Sequence, residues 1–293
     1  MLKSKATAQS ATNIQSRTTT RKATGWRNDG PLTIALVILA LITYVPFVSV
    51  IINSVKDNRQ FFTQFWLPTF PFHFDNFVKA WPIISQSILN SLVYSTPTVL
   101  LVLIVSGLTG YAFARYRFWG RNVIFFLMLL LTFLPGILLV IPMFVEIKDF
   151  GWINTTQGIV LPWTAVQIPF GMFLMRTFFE TLPREYFEAA RLDGASELQL
   201  FYRIALPLAT PAFSTLGILT LLFTWNDIIW PIITLLDGTR YPISIGVLRF
   251  SGAFGTDFGV TFAGYVIASV PLILVFIFTA RRFMAGLQGG LSI

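Results

Sequence analysis

The fold predicted from the sequence is an all-α integral membrane protein with six transmembrane helices, and three observations predict it. Of 293 residues, 55% are hydrophobic and only 12% charged, with a mean hydropathy of +0.70, whereas about 25% of an ordinary soluble domain is charged. Apolar stretches recur at 31–52, 87–113, 121–145, 158–178, 208–230 and 258–280, each near the ~20 residues a helix needs to cross a hydrocarbon core of about 30 Å. Runs such as Phe125 to Leu131 do not alternate in polarity, which excludes a membrane β-barrel.

The elements follow in order. Residues 1–30 form a polar tail carrying Lys3, Lys5, Arg17, Arg21, Lys22 and Arg27 against Asp29. The stretch 31–52 is the first membrane helix. It exceeds the h-region of a cleaved leader, and Pro46 precedes no small-residue cleavage site. Pro135, Pro142, Pro162 and Pro169 fall in or beside the later spans, where neighbouring membrane helices re-satisfy the freed carbonyls.

Basic residues set the orientation. With the N-terminus inside, the tail joins Arg115, Arg117, Arg121, Arg176, Arg184, Arg191, Arg203, Arg281 and Arg282 on one side. Lys56, Arg59, Lys79, Lys148, Arg240 and Arg249 fall on the other, so 15 of the 21 basic residues lie inside. Both termini are therefore expected to be cytoplasmic, and the net charge of +8 is explained by topology and lipid contact, with no nucleic acid required. In the second span Ser106, Gly110 and Ala114 form a small-residue stripe, which fits either a subunit interface or packing within the chain.

The chain has no Cys and one His, His73, so no disulfide, thiolate or multi-His metal site is expected. Neither a G-x-x-x-x-G-K-[ST] loop nor an H-E-x-x-H motif occurs. No catalytic residue, metal or cofactor is assigned to this chain.

The charged segment 180–207, between spans four and five, is more than a connector. Pro183 suits a first helical turn, Glu185 and Glu188 suit its positive dipole end, and Asp193-Gly194 offers a stop with the glycine left-handed. Ser196 and Gln199 form an S-x-x-Q capping box for a second short helix, with Leu198, Phe201 and Ile204 on one stripe. The product is two helices meeting at a corner, the first kept low in relief by Ala189 and Ala190. That is a docking element.

At these residues the chain resembles the permease subunits of binding-protein-dependent ABC importers. Their signature, E-A-A, three residues, G, nine residues, I-x-L-P, is met by Glu188, Ala189, Ala190, Gly194, Ile204, Leu206 and Pro207. The stretch PREYFEAARLDGAS, the WND at 225–227, FGTDFG at 254–259 and AGLQGG at 285–290 are similar to the MalG-like carbohydrate branch, although the closing residues depart from that group's usual ending.

The resemblance implies the type I ABC importer permease fold, with a cytoplasmic coupling helix between helices 4 and 5. It gives a permease core at 87–281, a coupling loop at 180–207 and a cytoplasmic tail at 282–293, in a bacterial inner membrane. It also implies the partners: an ATPase subunit dimer that carries ATP and Mg, a second homologous permease, and an extracytoplasmic solute-binding protein. The implied task is moving an oligosaccharide or related sugar by alternating access. A stand-alone ion-coupled transporter or channel is the alternative, and it lacks the buried coupling ligands such proteins use.

Two more regions are candidates. Asn226 and Asp227, beside Trp225 and Trp230, lie near the outer end of span five, where an acid fits either the translocation path or helix capping. The loop 231–257 carries Arg249, Gly252, Gly255 and Asp257. It is either a connector or, as in the resembled branch, an approach to the binding protein.

Overall fold

A computed structural model describes residues 30–250 and 257–291, which among the described residues form helices and no strands. The chain divides into two compact units, Met1–Val48 and Ser49–Ile293. The described part of the first unit belongs to α1 (Gly30–Ser54), whose apolar side chains from Leu32 to Phe47 are exposed, as a helix solvated by lipid requires.

The second unit is built around α3 (Asp75–Arg115), a 41-residue helix with an acid in its first turn and Arg115 in its last, both favourable to the helix dipole. At 1.5 Å per residue it is about 60 Å long, twice the hydrocarbon thickness, so it projects beyond the membrane. It accommodates Pro82 and Pro97 internally. Along one side Ser87, Ser91, Ser95, Thr98 and Ser106 are buried. Such small residues let membrane helices close on one another without a water-derived driving force.

Helix α6 (Thr156–Thr181) lies along this face. Ser106 packs against Gly171, and a side chain at Gly110 would stand 2.6 Å from Met175 Cβ and 2.9 Å from the Arg176 backbone nitrogen. The stripe Ser106–Gly110 is thus consumed inside the chain. Helix α10 (Thr210–Asn226) meets α3 through the Thr224 hydroxyl, which donates to Ser95 Oγ at 2.9 Å. The last helix, α13 (Phe258–Leu291), runs past the 258–280 span expected from hydropathy.

Among the described residues four helices are long and apolar enough to cross a membrane, and two bent pairs bring the number to as many as six. The third expected span, 121–145, is not one rod. It consists of α4 (Arg121–Thr132) and α5 (Gly136–Asp149), bent by 101°. Pro135 sits at the break with ψ 123°; it lacks an N–H and restricts the residue before it to extended backbone. The fifth span, expected at 208–230, likewise shortens to α10, bent by 74° from the run Glu197–Leu208. Ala209 leaves helical geometry there, with Pro211 in the first turn that follows.

At the opposite end of α3 from Arg115, the short α2 (Asn58–Thr63) carries a capping box closed by Asp57 and Gln60. Fully buried Lys56 binds the chain that follows, its ammonium donating to the carbonyls of Gln64 and Phe65. Its own carbonyl accepts from Asn76 at 2.9 Å, so the connection is fastened to the start of α3.

Candidate functional site

The segment after α6 folds into the expected corner. Leu182 and Pro183 are extended, and α7 (Arg184–Leu192) begins directly after the proline. Its end is a complete Schellman motif: Gly194 N–H donates to Arg191 O at 3.0 Å and Ala195 N–H to Ala190 O at 2.9 Å. Gly194 takes φ +85°, as the Asp-Gly stop requires. Ser196 and Gln199 close the capping box that starts α8 (Glu197–Leu200). The chain continues through a π-helical turn, Phe201–Ala205, into α9 (Leu206–Leu208).

The inner side of this corner is nailed to the membrane helices. Phe187 is 2% exposed, and Leu200 and Ala205 are fully buried; they pack with Tyr111 of α3 and Met175 and Phe179 of α6, with Ala190 and Ala195 at the margin. Arg115 organises the junction. Its Nη2 donates to the carbonyls of Phe179 and Leu182, both at 3.0 Å, satisfying the end of α6. Its guanidinium also stacks 3.9 Å above the Phe187 ring.

The expected stripe Leu198–Phe201–Ile204 needs correcting. Leu198 is 62% exposed and Leu200 takes the buried place, while Phe201 and Ile204 pack on the core as expected. Across the corner Arg191 grips Glu197 at 2.9 and 3.3 Å, and the Tyr116 hydroxyl donates to the same carboxylate at 2.8 Å. Burial first, and then this hydrogen bond, push the Tyr116 pKa up to about 12, so it stays a donor at any ordinary pH.

The outer side is different. Glu188, Ala189 and Gly194 are exposed, and Leu192 is 89% exposed; Tyr186 and Leu198 are exposed too. The signature residues therefore divide between faces. Ala189 looks outward, Glu188 is exposed beside the arginines at the junction, Ala190 and Ile204 pack inward, Gly194 makes the turn, and Leu206 and Pro207 line an apolar groove with Leu103 and Phe213. Sequence reasoning missed Phe187 and Arg115. The signal for Phe187 was its place three residues before Ala190 on an otherwise polar helix.

At the far end of α10, both Asp227 carboxylate oxygens are engaged: Oδ2 accepts from the Trp163 indole at 2.7 Å and Oδ1 from the Ile229 backbone at 3.1 Å. Asp227 thereby spans the break between α10 and α11 (Ile229–Thr234) and lines a cavity of about 200 Å³ with Trp163 and Trp230. The Asn226 side chain bonds back to Leu222 O.

The region expected as an open loop is partly folded. It holds α11, α12 (Ile243–Gly246) and two 3-10 turns, and Asn90 and Tyr94 of α3 bond to its carbonyls at Thr239, Tyr241 and Arg240. Arg249 is exposed and donates to Gly238 O at 3.2 Å. Asp257 accepts the Val260 N–H at 3.2 Å and caps α13. Gly252 and Gly255 lie outside the described residues. Among those described, no group of His, Asp and Glu could hold a metal ion.

Comparison with known proteins assigns the chain. Residues 106–289, more than half of it, match the family of binding-protein-dependent transport system inner membrane components. It is 30% identical over 260 residues to the diacetylchitobiose uptake system permease protein NgcG of Streptomyces coelicolor, covering 87% of this chain and 86% of that one. To the arabinooligosaccharides transport system permease protein AraQ of Halalkalibacterium halodurans it is 32% identical over 270 residues, covering 88% and 94%. A solved bacterial ABC transporter involved in import of the acidic polysaccharide alginate matches with a TM-score of 0.75 at 26% identity, over 86% of this chain and 94% of that chain. With the signature corner folded between its membrane helices, the chain belongs to the family of inner-membrane permease components of binding-protein-dependent transport systems.

Proposed function

We propose that the chain is the translocation subunit of an ATP-driven importer for an oligosaccharide or related sugar. The corner carries this reading. Its inner side is rigidly fastened to α3 and α6 through Phe187 and Arg115, and its outer side presents Ala189 and Leu192 to a partner. That partner is an ATPase subunit, one of a pair, which holds ATP and Mg; this chain performs no covalent chemistry.

Closure of the ATPase pair would move α7, and the buried anchor would pass the motion to the long helices, opening the bundle to the other side. A second homologous permease would complete the path, and a solute-binding protein would deliver the sugar at the end opposite the corner. Both termini and the corner would then be cytoplasmic. Arg249, Gly252, Gly255 and Asp257 are proposed to face the binding protein, and Asn226 and Asp227 the path. Sugar as the solute rests on the names of the relatives, whose printed cargoes are carbohydrates.

The test is energetic dependence. The purified chain alone is expected to show no ATPase activity, while the assembled transporter should hydrolyse ATP faster when sugar-loaded binding protein is added. Solute uptake by this chain alone in ATP-free liposomes would contradict the proposal and favour an ion-coupled carrier.

A further inference from the structure

Between the ends of the membrane helices and α7 lies a polar cavity of about 430 Å³, lined by Arg115, Arg117, Arg121, Arg184 and Arg191. Only Glu180 and Glu188 offset them there, and Glu180 is already shared between Arg176 at 2.8 Å and Arg121 at 3.3 Å. Arg191 is committed to Glu197. The Arg117 and Arg184 side chains make no hydrogen bond or ion pair among the described residues. The Nε atoms of Arg115 and Arg121 are buried without an acceptor.

A second cavity, of about 410 Å³, shares Arg117 and Arg121 and reaches Asn122 and Val123 in the first turn of α4. That helix is 12 residues long and is preceded by Gly120 in a left-handed conformation, with no side-chain cap. The Arg121 N–H donates to Phe118 O, and the amides of Asn122 and Val123 add the positive end of a helix dipole to the guanidinium groups. The joint space thus holds unpaired donors and an excess of positive charge.

We propose that this space binds a phosphate group, that of an anionic phospholipid headgroup. Depth favours lipid over a soluble anion. The turn carrying Arg117 and Arg121 also holds Phe118, 41% exposed, and Trp119, 98% exposed, and aromatic side chains flanking a membrane helix sit at headgroup level. Basic pockets between membrane helices bind anionic headgroups. The phosphate would bridge the α3–α4 turn to α7 through Arg117 and Arg184, making the stiffness of the corner depend on lipid. The site requires a membrane-spanning chain and is independent of the solute carried, so a failed sugar assignment leaves it standing.

The full-length chain in mild detergent is offered phosphatidylglycerol and phosphatidylcholine in equal amounts, and retained lipid is weighed by native mass spectrometry. Phosphatidylglycerol should be retained preferentially, and Arg117→Gln and Arg184→Gln should each weaken it roughly fivefold. The paired Arg117→Lys and Arg184→Lys chain, which keeps the charge, should retain it and serves if the Gln variants fail to fold. Excess inorganic phosphate should leave the lipid bound; displacement by it would make free phosphate the occupant of the same site. Equal retention of the two lipids, or equal retention by wild type and both Gln variants, would overturn the proposal.

Discussion

Replacing Phe187 with alanine is expected to abolish transport while the membrane helices still insert and the chain still accumulates. The side chain is 2% exposed, lies under the Arg115 guanidinium at 3.9 Å and packs near Tyr111. Truncating a buried phenylalanine costs about 3–5 kcal/mol, the sum of lost transfer energy and a residual cavity. Here the loss falls on one junction. Helix α7 has no other large apolar residue turned inward, because Tyr186 and Leu192 are exposed. The corner would detach locally and motion of a partner would no longer reach α3 and α6. Uptake should fall to background, whereas ATP hydrolysis by the assembled complex should continue and lose its stimulation by loaded binding protein. Uptake near wild type would show that force does not pass through this anchor.

Gly194→Val should give the second large effect, for a different reason. A Cβ at this position would meet no atom within 4 Å, and the residue sits at φ +85°, so the cost is conformational alone. A left-handed backbone costs an L residue about 1–2 kcal/mol, and β-branching adds to it. Relief of that strain would open the Schellman turn and rotate α8 away from α7. Transport and co-purification of the ATPase should fall together. Gly194→Asn should restore both, since asparagine tolerates this conformation. Equal loss for Val and Asn would mean that the corner needs the bare glycine surface and not its backbone geometry.

Local chemistry made much of this corner legible in the sequence. Asp193-Gly194 and the Ser196/Gln199 box act within a few residues, so the structure reproduces them as read. The bends of the third and fifth spans were less legible. Proline breaks the helix at Pro135 yet is carried inside α3 at Pro82 and Pro97 and inside α6 at Pro162 and Pro169. Which outcome follows is decided by neighbouring helices that no local pattern encodes.

The same limit explains the site. Leu198 was placed on the buried stripe by helical periodicity, but Leu200 is the residue packed against Tyr111, Met175 and Phe179, and the inward side of so short a helix is set by those distant partners. The partners of Arg115 at Phe179, Leu182 and Phe187 lie more than sixty residues away in the chain. The Ser106–Gly110 stripe announced a close approach without naming its partner, which is Gly171 and Met175 of α6.

The central claim is that the outer face of α7 is a cytoplasmic seat for an ATPase subunit. The native chain has no cysteine, so Ala189→Cys supplies a single reporter on the exposed side of the signature. With a membrane-impermeant maleimide, the account predicts labelling in inside-out vesicles, none in intact cells, and protection when the ATPase subunit is bound. Labelling from outside the cell, or equal labelling with and without the ATPase, would contradict it.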